Sequence, residues 1–381
     1  MDVALSLELQ DISLVVDRQL YLQNINLSFE AGAFNVLLGR TLAGKTSLMR
    51  VIAGLDKPTA GRVVLDGHDI THLAVQKRQV SMVYQQFINY PHMSVWENIA
   101  SPLRLAKVNS SEITRRVNNI AELLHIEEYL HRYPLELSGG QQQRCAMARA
   151  LVKDAQIILF DEPLVNLDYK LRETLRFELK LLFKQRDSIA IYASTEAHES
   201  LALGGTTTLL HEGKVLQSGD ALAQFYQPSN ADAADLYHEP PMNRFDIVAV
   251  GDKIELFEHS LDNPFIGLSA GPYQGAIRPD QVRLSASELV EVNVAAYVEL
   301  AEISASETYV HLRLITTGQS WVVHLQGIHR FKEGTNITLF IALGDVYIFD
   351  KQGSSVSWPA NKGVFRDTCT QLSSSSAMES N

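Results

Sequence analysis

Val36-Leu37-Leu38-Gly39-Arg40-Thr41-Leu42-Ala43-Gly44-Lys45-Thr46-Ser47 reads as an apolar strand, a phosphate loop and the start of a helix. The loop fits the pattern G-x-x-x-x-G-K-[ST], in which backbone N–H groups and a helix N-terminus cradle phosphate oxygens and the lysine reaches the β and γ phosphates. A strand-loop-helix unit of this kind belongs to a parallel α/β sheet. Further along, Leu137-Ser138-Gly139-Gly140-Gln141 puts a serine and a glycine pair at a helix start, which makes a second cradle for phosphate. Two anion sites in one domain are more than one triphosphate needs.

Working outward, Ile157-Ile158-Leu159-Phe160 and Ile189-Ala190-Ile191-Tyr192 are short continuous apolar runs, as expected of strands covered by helices on both faces. Asp161 and Glu162 follow the first of these, at the strand end where a parallel sheet presents ligands. Their alternative reading is a helix-capping carboxylate pair ahead of Pro163. The opening segment through about Ser28 alternates apolar and polar residues (Leu5, Leu7, Leu9, then Ile12, Leu14, Val16), which predicts half-buried antiparallel strands. Ile113, Val117, Ile120 and Leu124 form one apolar stripe, so a helix is expected from near Ser111 within a helical insertion over about 88–150.

Past Ala234, Pro240-Pro241 blocks helix continuation and the segments become short and β-branched, which sets a domain boundary near 238. Strands are expected around Val292–Ala301, Thr308–Ile315, Ser320–Leu325, Asn336–Ile341 and Val346–Phe349, and five short strands suggest a small all-β barrel of OB type over 239–350. The tail 351–381, with Ser373 to Ser376 in a row, is expected to be disordered.

The net charge of −11 weighs against a duty on nucleic acid phosphates. Only Cys145 and Cys369 occur, too few for a disulfide framework, and the start lacks the pattern of an export signal, so a reducing cytosol is expected. No run of about 18 uninterrupted apolar residues occurs, so membrane association would have to come through partners.

On its phosphate loop and signature the chain resembles the ATP-binding subunits of ABC transporters. These have a P-loop nucleotide-binding domain with an antiparallel β subdomain and a helical insertion, and pair head to tail around ATP. The resemblance implies ATP and Mg2+ as cofactors. It assigns ATP to Gly39, Arg40, Thr41, Leu42, Ala43, Gly44, Lys45, Thr46, Ser47 and Gln85, and the metal to Thr46, Gln85 and Asp161. It makes Glu162 the general base, Ser138, Gly139, Gly140 and Gln141 the signature offered to the partner's ATP, and Asp168 part of the loop joining the two sites. Gln85 lies in Tyr84-Gln85-Gln86-Phe87-Ile88-Asn89-Tyr90-Pro91-His92-Met93, which resembles the segment that faces the membrane subunits. Ile277-Arg278-Pro279-Asp280 resembles the accessory domain of sugar importers.

The pattern also breaks. The family's histidine after the strand beyond the glutamate is Thr195 here, and His198, three residues on, is expected to be solvated surface. Leu42 stands where a glycine is usual, and Val165 replaces a small polar residue. Val16 falls where an aromatic ring stacks on adenine, with Tyr21 a stand-in or, more simply, a strand residue. These departures predict a weakened site of its own beside an intact signature, hence one half of an asymmetric ATPase pair. The expected assembly has a second ABC ATPase, two integral membrane permease subunits and, indirectly, an extracytoplasmic solute-binding protein. It would lie on the cytoplasmic side of the inner membrane and import a sugar, polyol or glycerol, with glycerol favoured by Thr-Leu-Ala-Gly-Lys-Thr and Ser194-Thr195-Glu196. The alternatives are a regulatory ATP-binding subunit with little turnover, or a soluble ABC protein outside transport.

Overall fold

The computed structural model describes residues 5–32, 34–165, 167–184, 186–265, 267–286 and 291–359. It divides into two units, Met1–Phe225 with Asp232–Tyr237, and Tyr226–Ala231 with His238–Asn381.

The first unit opens with β1 (Ser6–Val16), β2 (Gln19–Glu30), β3 (Phe34–Leu38), α1 (Lys45–Ala53), β4 (Ala60–Leu65), β5 (His68–Asp69) and β6 (Val80–Val83). It continues through α2 (Val95–Leu105), α3 (Ser110–Leu123), α4 (Gly139–Leu151), β7 (Ile157–Asp161), α5 (Tyr169–Lys184), β8 (Ile189–Ser194), α6 (Ala197–Leu203), β9 (Thr206–His211) and β10 (Lys214–Asp220).

Two sheets result. The antiparallel one has the order β2-β1-β4-β5. Its hairpin turn, Asp17 and Arg18, holds both residues at positive φ (48° and 65°), the backbone twist that joins two strands in two residues. The buried series Leu7, Leu9, Ile12, Leu14 skips a beat at Asp11, where the pairing of β1 with β2 shifts register. A bulge there returns the apolar side chains to one face.

The second sheet runs β10-β9-β3-β8-β7-β6. The pairs β3–β8, β3–β9, β6–β7 and β7–β8 are parallel, with β10 antiparallel at the edge. Every residue of β3, β7 and β8 is buried, as their apolar runs predict, with the polar Asn35, Asp161 and Ser194 buried among them. One core cluster includes Leu37, Leu48, Ile52, Ile157 and Ile191; another includes Phe34, Phe160, Tyr192 and helices of the insertion. The insertion's α3 starts one residue before the expected Ser111, capped by Asn109, and buries Ile113, Val117 and Ile120. α2 begins at a capping box of Ser94 and Glu97, which satisfies two otherwise orphan N–H groups.

In the second unit the described strands are β11 (Asn243–Val250), β12 (Lys253–Leu256), β13 (His259–Asp262), β14 (Gly271–Ile277), β15 (Glu291–Ser304), β16 (Glu307–Leu314), β17 (Ser320–Gln326), β18 (Asn336–Ala342), β19 (Tyr347–Phe349) and β20 (Ser355–Ser357). They form antiparallel sheets of order β13-β12-β11-β14-β19-β20 and β17-β16-β15-β18 around a core including Phe245, Val294, Leu312, Trp321 and Ile341. The unit is all-β, but it holds five strands beyond those expected. In β14, Gly275 pairs with Phe245, and a Cβ on it would stand 2.6 Å from that ring, so the aromatic covers the glycine.

The expectation of a disordered tail from Lys351 is corrected for its first residues. β20 pairs with β19, Ser355 N donates to Ser229 O at 3.0 Å and Trp358 Nε1 donates to Pro228 O at 3.0 Å, so hydrogen bonds hold this short segment although Val356 and Trp358 stay exposed. Residues 360–381, Cys369 among them, lie outside the described residues.

Candidate functional site

β3 ends at Leu38 and the chain turns at once into the phosphate loop. Gly39 admits no side chain, since a Cβ would lie 2.5 Å from Leu210 O, and its N–H donates to Ser194 O at 3.2 Å. Gly44 caps α1 at φ 104°. Leu42 is also left-handed, at φ 67°, with a side chain 93% exposed. The backbone geometry that favours glycine is therefore present in the loop although the glycine is not.

Lys45, the first residue of α1, is buried and folds back over the loop. Its Nζ donates to Gly39 O at 2.7 Å and Arg40 O at 3.1 Å and pairs with Glu162 Oε1 at 3.4 Å. Burial pushes this ammonium below its ordinary value, and Glu162 partly opposes the shift. Thr46 Oγ1 donates to the Asp161 carboxylate, 3.1 Å and 3.0 Å from its two oxygens. Burial at the end of β7 raises the Asp161 carboxyl, against the Thr46 hydrogen bond. Ser47 follows half-buried in the first turn of α1.

Glu162 stands just past β7 at φ 49°, a conformation uncommon for a side chain with a Cβ and typical of functional turns. Its N–H is tied to Ala193 O at 3.2 Å, and its Oε2 accepts from Gln85 Nε2 at 3.0 Å. Gln85 follows β6, the neighbour of β7. Residues far apart in sequence thus meet at the C-terminal ends of β3, β6 and β7, where an open α/β sheet places its ligands.

The donors suit a hard divalent cation such as Mg2+. The Thr46 hydroxyl touches the Asp161 carboxylate, and the Gln85 amide spends its N–H on Glu162, leaving its carbonyl oxygen to coordinate. Among the described residues no group of three His, Cys, Asp or Glu could hold a metal, so phosphate oxygens would have to complete the shell.

The other predicted residues lie around this centre. Ser138 caps α4, accepting from Gln141 N at 3.4 Å while Gln141 Oε1 accepts from Ser138 N at 2.9 Å. Gly139 is open to solvent, and a Cβ there would meet nothing within 4 Å. Gly140 lies against Leu167, whose Cδ2 would stand 3.2 Å from a Cβ. Among the described residues no hydrogen bond joins this signature to the 39–47 loop. Asp168 caps α5, accepting from Leu171 N at 2.9 Å. Thr195 is exposed just beyond β8, while His198 sits on α6, mostly exposed and 3.3 Å from Glu196. Tyr21 is a half-exposed residue of β2 whose carbonyl oxygen would stand 3.2 Å from a Cβ on Gly44, so its strand flanks the loop.

Sequence reasoning passed over Arg172 and Glu199. Arg172 reaches Glu196 Oε2 at 3.4 Å, Val165 O at 3.4 Å and Leu167 O at 3.3 Å. Glu199 lies buried among Tyr192, Ser194 and Arg176. The available signal was a carboxylate on the apolar side of a short helix, beside Ser200 and Leu203.

The ABC transporter family pattern matches residues 22–165. The trehalose/maltose import ATP-binding protein MalK of Thermococcus litoralis is 36% identical over 352 residues, covering 86% of this chain and 93% of its own. The sn-glycerol-3-phosphate import ATP-binding protein UgpC 1 of Rhizobium etli is 32% identical over 329 residues, covering 86% and 92%. A dimeric, post-hydrolysis structure of the ATP-binding cassette MJ0796 bound to ADP and Pi matches 56% of this chain and 98% of that one, at 28% identity and a TM-score of 0.51.

Proposed function

The chain belongs to the ABC transporter family, and on that premise we propose that it is the ATP-hydrolysing subunit of an importer of a small solute such as a sugar, polyol or glycerol derivative. The observation that carries this reading is the convergence of Lys45, Thr46, Gln85, Asp161 and Glu162 on one end of the parallel sheet. ATP phosphates compete with Glu162 for the Lys45 ammonium. As Lys45 turns to the phosphates, the Glu162 carboxylate is released to hold and deprotonate the water that attacks the terminal phosphate. Gln85, bonded to the same carboxylate, registers that release at the loop leading to Tyr90-Pro91-His92-Met93. Thr46, Asp161 and the Gln85 carbonyl oxygen would hold magnesium, which would supply positive charge to offset that of the phosphates.

The finer reading is an asymmetric pair. Leu42, Thr195 and Val16 weaken this chain's own ATP site, whereas Ser138-Gly139-Gly140-Gln141 is complete and serves the ATP of a second, more regular ATPase. Two permease subunits carry the pair at the cytoplasmic face of the membrane, and an extracytoplasmic binding protein delivers the solute. Among the described residues no helix is long and apolar enough to cross a membrane, which accords with attachment through such partners. Glycerol is the favoured solute, on Leu42 and Thr195.

The test is gentle purification of the tagged chain from its own cells with mass spectrometry of what travels with it. A second, different ATPase with two multi-span membrane proteins supports the asymmetric importer. Membrane proteins with this ATPase alone overturn the asymmetry, and recovery with neither overturns the importer.

A further inference from the structure

The end of β8 is a junction. Ala193 O accepts from Glu162 N at 3.2 Å, and the next carbonyl, Ser194 O, accepts from Gly39 N at 3.2 Å. One strand end therefore carries both the phosphate loop and the candidate base. The Ser194 hydroxyl accepts from Glu196 N at 2.9 Å and donates to Glu199 Oε2 at 2.5 Å, which pins the backbone on either side of Thr195.

Glu199 is 5% exposed, a costly place for a carboxylate unless its oxygens are satisfied. They are. Tyr192 OH lies 3.2 Å from both, Ser194 Oγ binds one, and Arg176 Nη2 stands 3.5 Å away, itself held by Glu173 at 2.7 Å. The Tyr192 ring is in turn locked in the core, edge-on to Phe34 with centroids 6.1 Å apart. From the other side Arg172 ties Glu196 to the carbonyls of Val165 and Leu167, so the 194–196 turn is fixed at both ends.

We propose that Glu199, acting through the Ser194 hydroxyl, is a positioning residue for ATP hydrolysis, holding the Thr195 turn beside Gly39 and Glu162. This rests on the reading that the chain's own site hydrolyses ATP. A histidine at position 195 could brace the γ phosphate and the base with its own ring; a threonine is short, so its hydroxyl is useful only if the backbone bearing it is held in place. The buried clamp behind the turn supplies that rigidity without touching the nucleotide.

The experiment compares the full-length chain with Ser194→Ala, Ser194→Thr, Glu199→Gln and Glu162→Gln, reading kcat, KM for ATP, nucleotide affinity and thermal midpoint. Ser194→Ala and Glu199→Gln are expected to lower kcat about tenfold while KM and affinity stay within about twofold, the split that marks loss of a transition-state arrangement. Ser194→Thr, which keeps the hydroxyl, restores kcat to within about threefold of the parent. Ser194→Ala needs no new buried group, so it carries the test if Glu199→Gln does not fold. An unchanged kcat with a lowered thermal midpoint in Ser194→Ala, where Glu162→Gln abolishes turnover, overturns the positioning role and leaves the ATPase reading standing. If Glu162→Gln itself turns over normally, both fall.

Discussion

Lys45 Nζ stands 3.4 Å from Glu162 Oε1, an ion pair between the phosphate-loop lysine and the candidate base in which both side chains are largely buried. One cation and one anion cover each other here, and on the proposed reading phosphate separates them. If Lys45 is the phosphate's charged donor, as proposed, Lys45→Ala removes an interaction worth about 1.5–3 kcal/mol and ATP affinity is expected to fall roughly 10- to 150-fold. Glu162→Gln should keep affinity and lower single-turnover phosphate release by about 10²–10⁴-fold. Nucleotide titration and rapid-quench kinetics separate the two, and equal loss of affinity in both variants would contradict the assignment.

Leu42 gives a prediction of opposite sign. Its left-handed backbone, at φ 67°, costs about 1–2 kcal/mol for a residue with a Cβ. Glycine would relieve that while returning about 0.5–1 kcal/mol of unfolded-chain freedom. The side chain is exposed, so no packing is lost. Leu42→Gly should therefore stabilise the chain by about 0.5–1 kcal/mol in urea unfolding. A lower midpoint would show that the loop prefers leucine.

What was legible in the sequence was whatever has a local cause. The run Val36-Leu37-Leu38 before a glycine-rich loop, and the stripe Ile113, Val117, Ile120, state their elements directly because spacing determines which face is buried. Thr46 and Asp161 were readable separately, but their contact spans 115 residues and is created by the strand order of the sheet. Glu199 was harder to read: its place on the apolar side of a short helix was a faint signal, and although Ser194 and Tyr192 lie close before it in sequence, Arg176 comes from α5 and only the fold brings it near. The strands β12 and β13 were missed because each is only four residues long: Lys253–Leu256 alternates in burial, but two apolar residues are too few to set a period apart from a turn.

Arg78 makes a stability prediction. Its guanidinium donates to Val51 O at 3.0 Å and Ile52 O at 2.7 Å, carbonyls in the last turn of α1, and to Thr71 O at 2.8 Å and Leu73 O at 3.1 Å. Methionine has similar length and no donors. Val51 O keeps its bond from Gly54 N, but Arg78→Met takes the donor from the buried carbonyls of Ile52 and Thr71 and should cost about 3 kcal/mol of unfolding free energy, with α1 and the phosphate loop it carries loosened together. A loss under about 1 kcal/mol would mean that water replaces the guanidinium.

Cys145 should be chemically silent in the folded chain. Burial pushes its thiol up to about 12, with Arg149 opposing weakly, so the reactive thiolate is scarce at neutral pH. In a Cys369→Ser background, alkylation of Cys145 should be undetectable in native buffer and rapid in denaturant. Labelling at the native rate of an exposed thiol would contradict the buried placement.

Asp161 gives a pH-dependent prediction. Folding raises its carboxyl above the ordinary 3.8, chiefly through burial. A group raised in this way contributes stability that is full below its unfolded value and is lost as pH rises through its folded value. Asp161→Asn keeps an oxygen for the Thr46 hydroxyl and carries no charge to desolvate. The nucleotide-free variant should therefore gain on the parent as pH rises from about 4 toward neutrality, with no further gain once Asp161 is fully ionised. If Asp161 serves a magnesium shell, as proposed, the same change removes its negative oxygen, so Mg-ATP affinity should fall about 10–100-fold. Urea unfolding at stepped pH without nucleotide, paired with Mg-ATP titration, reads both effects. A variant less stable than the parent at neutral pH would show that the Asp161 charge is compensated in the free chain by more than Thr46 and Lys45.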